Sequence, residues 1–335
     1  MNRTWTRIWK IALPLCAAGI VLGGVGYALG GPRPVQWGRN GVHALPLSDV
    51  HVDEPTLFAF TAIKLDVDTA NVSVVQGDHF GLQADIPQTY RTIEWTNKNG
   101  TLTISDPSPI VLVNVSSFAR GTITITVPAT VVLDTVDATT GSGNISVTVP
   151  TKVTTITSSS GNVDVSDADV ASASVLTVKT GSGNVTYSAA TTSVTAATIT
   201  TDSGNVTASS TGDGAATNLN ITTDSGSVNV TEGAGTAGTY VTTNSGDVRV
   251  TCGPVSIGLI WVTTDSGDVV FTQTNGWGIS SYKLITDSGT LRALGPDAPT
   301  VTKNAPLINE PETDYNDLVD VRVTTNSGDI TATFG

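Results

Sequence analysis

From residue 131 onward, apolar and polar positions alternate around a recurring corner: Ser-Gly, then a small polar residue, then an apolar one. Gly141-Ser-Gly-Asn-Ile145, Asp202-Ser-Gly-Asn-Val206, Asp265-Ser-Gly-Asp-Val269 and Asn326-Ser-Gly-Asp-Ile330 are examples. The corner glycines are Gly143, Gly161, Gly183, Gly204, Gly226, Gly246, Gly267, Gly289 and Gly328, spaced by 18, 22, 21, 22, 20, 21, 22 and 39 residues. Five residues before each lies an apolar side chain, from Ala138 and Ile156 to Leu284 and Val323. Three before is Thr, except Ser158, and two after is Ile, Val or Leu. Period-two alternation on both sides of a tight corner predicts strand, corner, strand, with one face buried. The excess of Val, Ile and Thr suits a pleated surface.

A unit of about 20 residues cannot bury its own inner face and has to stack on its neighbours. The prediction is an all-β, parallel β-helix or solenoid with rungs of about 21 residues. Consecutive rungs then align an aliphatic column, a hydroxyl column and an Asp/Asn column. The corner glycines are expected to adopt positive φ, with neighbouring Asp, Asn or Ser bonding the turn backbone.

The register continues upstream in degraded form. Leu65–Val74 fits the template with Ala70 at the glycine position, and Trp95–Ile104 fits it with Gly100. Thr122–Pro128 is a further alternating strand. Residues 56–130 are thus read as an irregular β lead-in or cap, and 131–335 as the regular array. Residues 296–320, with Pro296, Pro299, Pro306 and Pro311 and an acidic stretch, read as an extruded insertion, a divergent rung being the alternative. The strand Ile330, Thr331, Ala332, Thr333 and Phe334 precedes Gly335. It is expected to offer an open edge for self-association or a partner strand, unless the acidic loop folds over it.

The front end sets the compartment. Residues 1–10 are a short basic segment, residues 11–32 are uncharged and mostly apolar, and 33–55 read as a linker. The apolar run is long enough to span a bilayer as a helix. Arg3, Arg7 and Lys10 precede it and Arg33 and Arg39 follow, a balance that weakly favours a cytoplasmic N-terminus. The expectation is a single-pass cell-membrane protein with its bulk extracytoplasmic. A signal peptide cleaved near Gly26-Tyr-Ala28 is the alternative. Leu15 before Cys16 argues against a lipoprotein site. With Cys16 in the span and Cys252 in the array, no internal disulfide is expected, and Cys252 reads as a small packed residue.

Up to residue 40 there are five basic residues and no acidic ones, so the remainder carries 16 − 5 = 11 basic against 29 acidic, a net of −18. That balance argues against nucleic acid and against electrostatic docking on anionic surfaces. It draws attention to the corner acids: Asp202, Asp224, Asp265 and Asp287 before the Ser-Gly, and Asp247, Asp268 and Asp329 after it. A hard cation such as Ca²⁺ could bridge stacked carboxylates. Turn-bonding side chains account for them without metal, and no cofactor is expected.

Catalysis has little to draw on. His43, His51 and His79 all precede the regular repeats, without convergent partners. Arg249, Arg292 or Arg322 could serve a carbohydrate-active β-helix, but their spacing selects none, so the reading is a non-enzyme. The Asn-x-Ser/Thr triplets, such as Asn144-Ile-Ser146, fall out of the corner repeat. Trp261 is expected to point outward, with Trp277 toward the same end, where an exposed aromatic can touch sugar or protein.

A basic N-terminus, a span ending Gly26-Tyr-Ala-Leu-Gly-Gly31, a degenerate β lead-in, Ile123-Thr-Ile-Thr-Val-Pro128 and serial Ser-Gly-Asn/Asp-Val rungs occur together. On these features the chain resembles the bacterial putative-adhesin family of the DUF4097 type over residues 3–335. The resemblance implies a right-handed parallel β-helix with no family active-site residues to carry over. It also implies a surface scaffold or adhesion module that meets an unknown protein or glycan. Connection of some members to envelope stress supplies an alternative, a component working through a membrane partner.

Overall fold

The computed structural model describes residues 35–38, 41–89, 92–107, 121–167, 174–189, 194–210, 218–233, 238–253, 258–274, 282–295, 307–309 and 321–334. The expected span at 11–32, Cys16, Trp277 and most of 296–320 lie outside them. All described elements are strands.

An antiparallel hairpin of β1 (Val35–Gly38) and β2 (Gly41–Ala44) lies in one compact unit. A second unit holds almost all of the rest. The lead-in strands are β3 (Ser48–Glu54), β4 (Ala62–Val67), β5 (Asn71–Gly77), β6 (Gly81–Thr89), β7 (Glu94–Lys98), β8 (Thr101–Ser105) and β9 (Thr122–Pro128), with the first residues of β3 and the last of β6 in the first unit. Seven regular rungs follow, one strand on each side of a corner. They are β10 (Leu133–Thr140) with β11 (Ile145–Val147), β12 (Thr151–Ser158) with β13 (Val163–Asp167), and β14 (Ser174–Thr180) with β15 (Val185–Ala189). Next come β16 (Val194–Thr201) with β17 (Val206–Ser210) and β18 (Asn218–Thr223) with β19 (Val228–Glu232). β20 (Gly238–Thr243) with β21 (Val248–Cys252), and β22 (Leu259–Thr264) with β23 (Val269–Gln273), complete the run. The chain closes with β24 (Tyr282–Thr286), β25 (Leu291–Leu294), β26 (Leu307–Asn309), β27 (Val321–Thr325) and β28 (Ile330–Phe334).

Strands before the corners form one 13-stranded sheet and strands after them form another. The regular rungs pair in parallel and in register, so that Ile156 meets Val178 and Val178 meets Ile199. Inner positions of both sheets are buried, with Ile199, Val230, Val250 and Val323 fully so. Large residues sit beside small ones along a column: Tyr187 pairs with Ala208, and Phe271 with Ala332, which lets bulky side chains share the interior between the sheets.

The ends depart from simple succession. β27 lies between β22 and β24, and β28 between β23 and β25. The Gly328 rung is thus inserted between those of Gly267 and Gly289. The same doubling back occurs at the start, where β4 and β5 lie inside β8 and β9 and meet β10 and β11. The expected open edge at Ile330–Phe334 does not hold, because β28 has a hydrogen-bonded neighbour on each side. Nor is Gly100 a solenoid corner: β7 and β8 pair antiparallel across it. Asn99 and Gly100 have φ of 51° and 75°, the two-residue turn that an Asn-Gly hairpin favours. Within 296–320, the described stretch Leu307–Asn309 pairs antiparallel with β24.

An interior position for β28 makes its inward side chains core residues. Ile330→Ala is expected to cost about 2–5 kcal/mol, and Thr331→Ala about 0.5 kcal/mol or less. Denaturant melts would show it, and equal small losses would contradict the inserted order.

Candidate functional site

At each corner a run of backbone N–H groups needs acceptors, and adjacent rungs provide most of them. The glycine N–H donates to the hydroxyl of the Thr or Ser three residues earlier in all nine corners, at 2.8–3.1 Å. The preceding Ser N–H donates to a neighbouring rung, as Ser203 does to the Gly181 carbonyl at 3.0 Å. The N–H just after the glycine donates to the side-chain oxygen of an Asn or Asp one rung away. These bonds run from Asn144 to Asn71, Asn162 to Asn144, Asn184 to Asn162, Asn205 to Asn184 and Ser227 to Asn205. They resume from Asp268 to Asp247, Asp329 to Asp268 and Thr290 to Asp329, the full set spanning 2.6–3.0 Å. Among the described corners the run breaks only where Ser227 stands in the column.

This geometry corrects the expected role of glycine. None of the nine corner glycines has positive φ; among described glycines only Gly100 and Gly295 do. The constraint is close approach instead. A Cβ on Gly204 would overlap the Gly183 carbonyl, and one on Gly226 the Gly204 carbonyl. The corner side chains bond the next rung's backbone, not only their own turn.

The acids before the Ser-Gly form a second, exposed column. Its spatial order is Asp202, Asp224, Asn244, Asp265, Asn326 and Asp287, as the Ser N–H bonds trace it. Asn244 Nδ2 donates to Asp224 Oδ1 at 3.3 Å and Asn326 Nδ2 to Asp265 Oδ1 at 3.1 Å. The inserted rung thus parts Asp265 from Asp287 with a neutral amide. Among the described residues no three His, Cys, Asp or Glu side chains converge as a metal site.

The candidate arginines fall in different places. Arg249 lines a shallow groove on the outer face of the second sheet with Asp247 and Asp268. Arg292 lies on the outermost strand, β25. Arg322 lies on the outer face of the first sheet, its Cζ 5.4 Å from the Trp261 ring centroid. The half-buried Trp261 meets Tyr240 edge-on, with centroids 5.8 Å apart.

A cluster the sequence reading passed over sits at the far side of the core from the corners. Ser210, Glu232, Cys252 and Gln273 follow one another in register, with Glu232 4% exposed. Thr239, itself buried, donates its hydroxyl to Glu232 Oε1. Burial pushes the Glu232 carboxyl up to about 7. Burial, and then the neighbouring Glu232, push the Cys252 thiol far up, so it is an inert packed residue. The signal was available: Glu232 occupies an inward position of the alternation.

A family model described as Toastrack DUF4097 matches residues 60–333. Among solved structures the chain is similar to a putative adhesin from Bacteroides fragilis, at 14% identity, covering 85% of this chain and 96% of that one, with a TM-score of 0.36. A putative lipid binding protein from Parabacteroides distasonis is 15% identical over 86% and 97% of the two chains, with a TM-score of 0.41. A putative adhesin from Parabacteroides merdae is 15% identical over 87% and 97%, with a TM-score of 0.31. No curated protein is matched.

Two outcomes follow from the corner and from Glu232. Gly204→Ala is expected to cost about 3 kcal/mol or more, since backbone lies where the methyl would go. Ser203→Ala beside it is expected to change stability by about 0.5 kcal/mol or less. Thermal melts that rank the two alike would contradict the close-approach account. For Glu232, an unfolded chain releases the proton near pH 4.3 or so, whereas the fold retains it to about 7. Its contribution is therefore complete below about pH 4, declines as pH rises, and levels off above about pH 7. The total is about 4 kcal/mol. Glu232→Gln should flatten that decline in a pH series of melts, and parallel wild-type and variant profiles would contradict it.

Proposed function

The chain belongs to the Toastrack DUF4097 family, and from that premise we propose a non-enzymatic extracytoplasmic binding module or surface scaffold, held to the cell membrane by residues 11–32. The observation that carries this reading is how the polar groups are used. The most regular polar residues, the corner Thr, Asn and Asp, are engaged in holding rungs together. The two sheets leave long, ordered outer faces, which suit binding better than a reaction centre. Residues 11–32 supply the uncharged run that an anchor needs.

The groove holding Asp247, Asp268 and Arg249 favours a second reading, a carbohydrate-active β-helix. Against it, Asp247 and Asp268 already accept backbone N–H groups from the next rungs.

Three measurements separate the two readings. A C-terminal epitope on the full chain is expected to be removed by protease added to intact spheroplasts. Cells with the chain are expected to attach to polysaccharide-coated surfaces better than cells lacking it. The purified protein should release no reducing ends from those polysaccharides. A protected epitope or unchanged attachment would contradict the module reading. Release of reducing ends, abolished by Asp268→Asn, would establish the enzyme.

A further inference from the structure

The outer face of the first sheet carries an unusual column near the chain's last rungs. In register across four adjacent strands stand Tyr240, Trp261, Arg322 and Lys283. On the four strands before it the column is short and polar, with Asn220, Thr198, Thr177 and Thr155, and beyond them come Asp137 and Lys64. The change to two rings and two cations is abrupt. The inserted rung decides which cation adjoins the rings, because Arg322 comes between Trp261 and Lys283 only when β27 lies between β22 and β24.

We propose that this column is a binding platform for a linear, carboxylate-bearing polysaccharide, a ligand for the surface-binding reading on which it rests. Three features carry it. The first is shape. The Tyr240 ring lies down over Gly238, where a Cβ would come within 2.9 Å of it. Trp261 Nε1 is covered and has no hydrogen-bond partner, so the accessible part of the indole is hydrocarbon. Flat hydrocarbon edges suit the C–H faces of sugar rings, as amphipathic aromatics do at binding surfaces generally.

The second feature is spacing. Adjacent strands repeat every 4.8 Å or so, close to the length of one pyranose unit in an extended chain. A glycan running across the strands would therefore meet one platform residue per sugar. Thr242 and Thr263, two positions along the same strands, place hydroxyls beside that path.

The third is charge. The chain is strongly acidic overall, yet Arg322 is exposed beside the rings, with Lys283 in register next to it. The corner Asp column lies four residues further along each strand, roughly 13 Å away at the usual rise. That exceeds the screening length of about 8–10 Å at physiological salt. Arg322 thus presents its guanidinium beside the rings and beyond the screened reach of that column, and a guanidinium is well suited to a sugar carboxylate.

The test uses the full chain in detergent and affinity electrophoresis through gels containing polygalacturonate, alginate or hyaluronan, with neutral dextran as the comparison. Retardation by at least one carboxylated polymer is expected, weakened by added salt and absent in dextran. Arg322→Gln and Trp261→Ala should each weaken it tenfold or more. Arg249→Gln, on the other sheet, should leave it unchanged. Arg322 is exposed, so its variant is expected to melt with wild type, which keeps the test valid if Trp261→Ala misfolds. No retardation in any carboxylated gel would overturn the proposal. So would equal retardation in dextran, or wild-type retardation of a folded Arg322→Gln. If cell attachment survives Arg322→Gln and Trp261→Ala, the platform is wrong while the module reading stands. Loss of attachment in those variants supports both.

Discussion

A backbone N–H that has no partner within its own rung governs this structure. Just after each corner glycine the chain turns from one sheet to the other and leaves that donor directed along the stack. The Asn or Asp side chain of the adjacent rung accepts it, and the rung beyond repeats the bond. Because the bond fixes the height of one rung on the next, rungs are not interchangeable beads. All but one of the described rungs in the run stack on a neighbour carrying an Asx side chain at the right height, the exception being the rung next to Ser227. The glycine requirement has the same origin, since the bond brings the backbones so close that only hydrogen fits between them. The Thr three residues earlier completes the set by accepting the glycine's own N–H from inside.

Such a ladder is satisfied in the middle and problematic at its ends, where sheet edges expose unpaired backbone. Both ends show the same solution. The chain overshoots, places an outer rung, and returns to lay a further rung inside it. Antiparallel strands then cover what remains: β7 on β8, β6 on β9, and β26 on β24. At the far end the arrangement also sorts charge. Asn326 falls between Asp265 and Asp287, whereas stacking in sequence order would set those carboxylates together. Thr290, which cannot extend the Asx ladder, occupies the corner of the outermost rung among the described residues.

The period, the corner, the inward columns and the two strands per rung were all legible in the chain, because alternation and repeat spacing report burial directly. Ala70 could be placed at a corner position from pattern alone, and the structure stacks it against Gly143. The order of the last rungs was harder. It is a non-local property that a 39-residue spacing leaves open, and the clue lay in Thr290 and in the Asp/Asn alternation, not in any strand pattern. The glycine was misjudged for a different reason. Positive φ and close approach both select glycine, and only coordinates separate them. Gly100 mimicked a solenoid corner because an Asn-Gly hairpin also sits between alternating strands. The place of Arg322 beside Trp261 could not be read from sequence, since that pairing arises only through the inserted rung, whereas Tyr240 and Trp261 lie on consecutive rungs.

The stacking order is thus the claim on which the charge sorting, the covered C-terminal strand and the platform all rest. Paired cysteines on the outer face of the first sheet address it directly, in a chain lacking Cys16. Thr263 is in register with Thr324, which in turn is in register with Ile285. Under mild oxidation Thr263→Cys with Thr324→Cys should form a disulfide, and Thr263→Cys with Ile285→Cys should not. The reverse pattern would mean that the rungs follow one another in sequence order, and the account would fail.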